Sequence, residues 1–188
     1  RIYYNGHREN HRAAEARPGR YHVRRETTCC FTGHRPNKLP WGDNESDSRC
    51  VDLKTRLTQA LEEAYQDGYR HFLSGMALGC DLYFCEAVLE LRERHEGVTV
   101  EAAVPCEEQC ARWRERDRNR YFALLEQCDY ETHVQHRYTP GCMQRRDRYM
   151  VDHAQRLIAA YDGRTLGGTM YTLTYALRQR LETVILDI

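Results

Sequence analysis

The stretch His71–Phe84, HFLSGMALGCDLYF, decides how the rest of the chain is read. It opens as a short apolar run, is punctuated by Gly75 and Gly79, and turns helical in its spacing near Asp81. A strand that feeds a helix through a glycine turn is half of a βαβ unit, the building block of a parallel sheet. The turn also poses a chemical question. A helix start leaves backbone N–H groups unpaired and carries the positive end of the dipole. Glycine lets an anion approach such a start closely, because no Cβ intervenes. The turn is therefore either a change of direction or a seat for a negatively charged ligand.

Outward from it, the same alternation repeats. TTCCFTG is a short β-type run ending at Gly33, followed by the loop HRPNKLPWGDNES. VDLKTRLTQALEEAYQDG then places Leu53, Leu57, Ala60, Leu61 and Ala64 on one helical stripe. CDLYFCEAVLELRERHEG is a second amphipathic helix closed by Gly97, and VTVEAAVP is a third strand. EEQCARWRERDRNRYFALLEQC reads as one long polar helix anchored by Trp113, Tyr121, Leu124 and Leu125. YETHV is a weaker strand, RRDRYMVDHA is helical, RLIAAYDG is a strand, MYTLTYALRQRL is a helix and TVILDI closes the chain as a strand. The segment RQRLETVI has no glycine where the turn into the last strand would ordinarily take one. The pattern predicts an α/β fold: a Rossmann-like, doubly wound, mainly parallel sheet in a single domain, for which 188 residues suffice.

Charge narrows the function. Basic and acidic residues balance at 28 each, yet residues 1–28 hold seven Arg against three acids. The remainder is net acidic by four, which argues against broad nucleic-acid binding by charge alone. Residues 1–27, with Pro18-Gly19 and little apolar periodicity, read as a basic, flexible extension, leaving 28–188 as the folded domain. Nine scattered cysteines without CxxC spacing read as reduced thiols of a cytoplasmic protein. No apolar run approaches the ~20 residues of a membrane span, and no signal-peptide core is present. Neither a GxSxG elbow, a P-loop nor His-rich metal spacing occurs, so no metal or definite cofactor is implied.

In a doubly wound sheet, ligands bind beyond the carboxyl ends of the strands. Four loops fall there: TGHRP, SGMALGCD, PCEE and YDGRTLGGT. Gly167 and Gly168 precede Thr169, which suits an N-cap or could face a phosphate. Arg35, directly after Gly33 and His34, leans toward anion binding. Other residues have two readings each. Asp81 caps its own helix or serves a ligand; Asp162 closes a turn with Gly163 or bonds a ribose. Arg145 and Arg146 lie in a charged helix where solvent exposure is the default. Trp113 and Tyr121 are packing anchors before they are a base-stacking platform. Glu107 and Glu108 are acid/base groups or, more plainly, acids favoured by a helix start.

Taken in order, CCFTGHRPNKLPWG, HFLSGMALGCD, VEAAVPCEEQ, CMQRRDRYMVD and LIAAYDGRTLGGTMYT resemble the YpsA family of the SLOG superfamily, related to DNA-processing protein A (Smf) and the LOG proteins. The likeness covers about residues 28–188 and identifies the chain as bacterial in type. It implies a Rossmann-like fold and a pocket for a nucleotide-type ligand. Phosphate or ribose-phosphate contacts are carried onto the turns Ser74–Asp81 and Gly167–Thr169. The implied ligand residues are Gly33, His34, Arg35, Ser74, Gly75, Gly79, Asp81, Arg146, Asp162, Gly167, Gly168 and Thr169. There are departures. The phosphoribohydrolase relatives carry a PGGxGTxxE motif whose Glu helps cleave an N-glycosidic bond, whereas Tyr171, Thr172 and Leu173 stand here where an acid should be. Glu107 and Asp81 are the catalytic candidates left.

Three functions follow from the resemblance. The first is a sensor or regulatory module that binds an ADP-ribose- or NAD-like nucleotide and acts through a protein partner, with a homodimer allowed by this type of sheet. The second is a nucleotide N-glycosidase or phosphoribohydrolase. The third, disfavoured by the acidic body, is a single-stranded DNA binder.

Overall fold

The computed structural model describes residues 23–188 and the strand backbone of Ile2–Tyr3. Strands and helices alternate: β1 (Ile2–Tyr3), β2 (Thr28–Gly33), α1 (Ser48–Gln66), β3 (His71–Ser74), α2 (Cys80–Arg94), β4 (Thr99–Val104), α3 (Glu115–Leu125), β5 (Tyr130–His133), α4 (Cys142–Asp152), β6 (Arg156–Tyr161), α5 (Gly168–Arg178) and β7 (Glu182–Asp187). Every pairing is parallel, in the order β1-β5-β4-β3-β2-β6-β7, so six strands form the body and two residues of β1 extend one edge. The flexible extension expected over residues 1–27 lies for the most part outside the described residues. Within it, Ile2–Tyr3 pair with β5, and Arg25–Thr27 form a 3-10 turn.

Side-chain alternation along the strands explains the two covered faces. Cys29 and Phe31 of β2, Phe72 of β3 and Val100, Ala102 and Val104 of β4 join the core under α1, α2 and α3. Their neighbours Cys30, Leu73 and Ala103 join a second core under α4 and α5. The predicted stripe of α1 is buried as expected, and its start is capped by Asp47, whose carboxylate accepts from the Arg49 amide at 2.9 Å. Phe31 stacks on Phe84 with ring centroids 4.7 Å apart, tying β2 to α2.

Two expectations are corrected. The long helix over Glu107–Cys128 is only half a helix: α3 starts at Glu115, after Arg114 takes an extended conformation (ψ 151°). Upstream, successive i→i−3 turns bury Cys106, Gln109 and Cys110, and the Gln109 amide side chain donates to the Met76 carbonyl at 2.9 Å. That inward pull replaces helix with a tucked loop. At the other end, the glycine missing before β7 is replaced by Arg180, which itself adopts φ +59°.

The strand order reverses at β2. From β2 the chain steps through β3, β4 and β5 in one direction, then returns to place β6 on the other side of β2. The crevice between the loops after β2 and β6 is therefore the topological switch point.

Candidate functional site

A cavity of about 330 Å³ opens at that crevice. Gly33 to Arg35, Asn37 and Lys38 wall it from the loop after β2, Gly168 and Thr169 from the start of α5. Asp81 from α2 and Arg146 and Asp147 from α4 close it below.

The glycine turn of His71–Phe84 lies beside this cavity, but three of its amides are already engaged. The Met76 amide donates to Ser74 Oγ (3.2 Å), the Ala77 amide to Asp81 Oδ2 (3.2 Å) and the Cys80 amide to the His34 carbonyl (3.2 Å). Ser74 is fully buried and donates its hydroxyl to the Asp81 carbonyl at 3.0 Å. Gly79 takes φ +88°, and a methyl there would lie 2.7 Å from the His34 carbonyl oxygen, so glycine lets the two loops touch. Gly33 likewise leaves room for the Cys80 side chain. Gly75 leaves room for a guanidinium: a methyl there would overlap Arg146 and approach Asp81 Oδ2 to 2.7 Å. The turn thus builds the floor of the site.

Arg146 is the keystone of that floor. It is 5% exposed, against the solvent exposure expected of it, donates from Nε to Asp147 Oδ1 at 2.7 Å and from Nη1 to the Gly75 carbonyl, and lies 3.9 Å from Asp81 Oδ2. Burial opposes its charge, but the Asp147 and Asp81 carboxylates outweigh that and hold the guanidinium above its ordinary value. Asp81 itself is pushed up to about 6 by burial, with Arg146 pulling only partly the other way. A buried carboxyl that takes up its proton near pH 6 at a pocket is a chemically useful group.

The opposite wall is formed by the start of α5. Helix 168–178 begins at Gly168 with Gly167 as its N-cap, so Thr169 sits inside the first turn instead of capping it. The amides of Gly168, Thr169 and Met170 have no carbonyl a turn back within the helix. Gly168 has open space where a side chain would stand, and a methyl at Gly167 would come 2.8 Å from Lys38 Nζ. Lys38 and Arg35 are exposed, and among the described residues neither forms an ion pair. The Thr169 hydroxyl lies 3.2 Å from His34 Nδ1; His34 is buried, and its Nε2 lies 2.8 Å from Asp162 Oδ1, off the line of a straight hydrogen bond. Burial raises Asp162, but His34 and Arg164 outweigh it and keep the carboxyl below its usual range. Asp162 closes its turn by accepting from the Arg164 amide at 3.1 Å.

Of the residues expected at the site, Gly33, His34, Arg35, Asp81, Arg146, Gly168 and Thr169 line one cavity. Ser74, Gly75, Gly79, Asp162 and Gly167 stand behind or beside it in supporting contacts. Glu107 is apart: it is exposed, 3.5 Å from His136, at the end of β4, a strand separated from β2 by β3. Lys38 and Asp147 were missed. The charged run RRDR disguised one, and a loop without periodicity hid the other. Among the described residues no cluster of three or more His, Cys, Asp or Glu could hold a metal, and no helix is long and apolar enough to cross a membrane.

Comparison with known proteins agrees with this architecture. The chain is 29% identical over 157 residues to the UPF0398 protein YpsA of Bacillus subtilis, covering 80% of this chain and 84% of that one. It is 31% identical over 140 residues to the SPbeta prophage-derived protein YoqJ of the same organism, covering 67% and 81%. Among solved structures, the fold is shared with DNA processing protein A of Streptococcus pneumoniae (TM-score 0.54, 16% identity, 85% of this chain and 50% of that one). It is shared also with DNA processing protein A of Helicobacter pylori (TM-score 0.55, 14% identity, 86% and 65%). The family model described as the YspA SLOG family (YpsA) matches residues 29–185. The chain belongs to the YspA SLOG family.

Proposed function

We propose that this protein binds a nucleotide or nucleotide derivative, of the ADP-ribose or NAD type, in the switch-point cavity and acts as a cytoplasmic sensor or regulatory module through a protein partner. One observation carries the reading: the loops after β2 and β6, where the strand order reverses, enclose one cavity with a free helix start on one side and, at its mouth, Lys38 and Arg35, which form no ion pair among the described residues. A cavity of this size falls at the low end of small-molecule sites, which suits one nucleotide. Thermal-shift screening against nucleotides, with mass spectrometry of each hit after incubation, tests it. Stabilisation by an intact nucleotide that is lost in Lys38→Glu supports the reading; no stabilisation by any nucleotide refutes it.

A second reading, nucleotide N-glycosidase or phosphoribohydrolase, is favoured by Asp81, a pocket carboxyl whose pKa near 6 suits proton transfer. Release of free base and ribose phosphate in the same incubation would establish it, and Asp81→Asn would then abolish the release. Single-stranded DNA binding, studied in the H. pylori structure, is less well supported here by a body that is net acidic outside residues 1–28.

A further inference from the structure

Arg35 and Asn37 line the switch-point cavity on one side and, on the other, a larger hollow of about 870 Å³. The floor of this second hollow is apolar, made by Leu78, Leu82 and Trp113, whose ring stands edge-on against Tyr121 with centroids 5.4 Å apart. Its rim is arginine, but the arginines are not equivalent. Arg114 and Arg116 both lean on Asp43, at 3.2 and 3.7 Å, and Arg120 is held by Glu45 and Glu86. Among the described residues, Arg112 and Arg35 have no carboxylate partner.

Resting on the nucleotide reading above, we propose that the natural ligand is a pyrophosphate-linked dinucleotide that spans both hollows. One nucleotide occupies the switch-point cavity, the diphosphate crosses at Arg35, and the second nucleoside lays its base on Trp113 with Arg112 beside it. The physical argument is complementarity. An apolar floor carrying the Trp113 ring accepts a base by stacking. Arg35, shared by both hollows, meets the diphosphate, and Arg112 stands beside the base in the second hollow. A nucleic-acid strand would need cations along its whole length, and here the other arginines are already neutralised by carboxylates.

Isothermal titration of the full chain with AMP, with diadenosine diphosphate and with an oligodeoxyadenylate about ten nucleotides long decides the matter. The dinucleotide is expected to bind about tenfold tighter than AMP, the scale of one base–aromatic stack. Trp113→Ala should remove that advantage and leave AMP affinity unchanged. Since Trp113 also packs on the core, the exposed Arg112→Ser serves as a second variant and should reduce the advantage without touching the fold. Equal affinities for AMP and the dinucleotide, or an advantage that survives both substitutions, overturn the proposal while leaving the nucleotide site standing. An oligodeoxyadenylate that binds tighter than the dinucleotide overturns it in favour of a strand. If neither AMP nor the dinucleotide binds, the nucleotide reading itself fails.

Discussion

Gly75→Ala, one added methyl, should be among the most damaging small changes in this protein. The Cβ would overlap the Arg146 guanidinium, sit 2.6 Å from its Cζ and 2.7 Å from Asp81 Oδ2, in a place where all three groups are buried. The guanidinium cannot slide sideways, because its Nε is tied to Asp147 at 2.7 Å and its Nη1 to the Gly75 carbonyl. To admit the methyl it must leave, stranding two buried carboxylates. Breaking a buried ion pair by removing one partner costs about 3–5 kcal/mol, a large part of the roughly 5–15 kcal/mol that holds a domain folded. In urea, at a slope of about 2 kcal/mol per M, the midpoint should fall by roughly 2 M. Repeating the substitution in an Arg146→Ala background should show a much smaller further loss, since the displaced group is already gone. A loss under about 1 kcal/mol for Gly75→Ala, or the same loss with and without Arg146, would refute the floor described here.

Other changes separate scaffold from site. Gly168→Ala meets nothing within 4 Å and stands at the first position of its helix, so it should leave stability unchanged to within about 0.5 kcal/mol in the same urea assay while weakening nucleotide affinity. Asp81 should make stability fall as pH rises. Its folded pKa, about 6, exceeds the ordinary carboxyl value near 4, so the folded chain holds the proton more tightly; the penalty is absent below pH 4, grows through about 6, and reaches the order of 3 kcal/mol above it. Asp81→Asn should flatten that part of a stability–pH profile, and an unchanged profile would contradict the burial assigned to Asp81. Arg180→Gly relieves a left-handed residue at an exposed turn and should raise the thermal midpoint, by about 1 kcal/mol of stability.

How much of this was legible beforehand follows from which forces are local. The strand and helix alternation could be read because Leu53, Leu57 and Leu61 repeat at helical spacing and runs such as LIAAY are short and apolar. The loops that gather at the rim could be placed by the rule that ligands lie beyond strand ends. What could not be read was which amides remain free. Gly75 looks like an anion-binding glycine in sequence, yet its neighbours' donors are taken up by Ser74, Asp81 and His34, and its open side is filled by an arginine 71 residues away. Arg146 sits between Arg145 and Arg148, which do face solvent, so only its long-range contact with the Gly75 carbonyl reveals that it is buried. The break at Arg114 is equally silent, because the burial of Cys106, Gln109 and Cys110 against the core decides it.

The central claim is that an anionic ligand is held between the loop after β2 and the start of α5. Amide chemical shifts of the isotope-labelled protein, followed during titration with AMP, test it most directly. The account predicts the largest movements at Gly168, Thr169 and Lys38, with the engaged amides of Met76 and Ala77 moving much less. Movements centred on the Ser74–Gly79 turn, or on the face around Glu107, would contradict it.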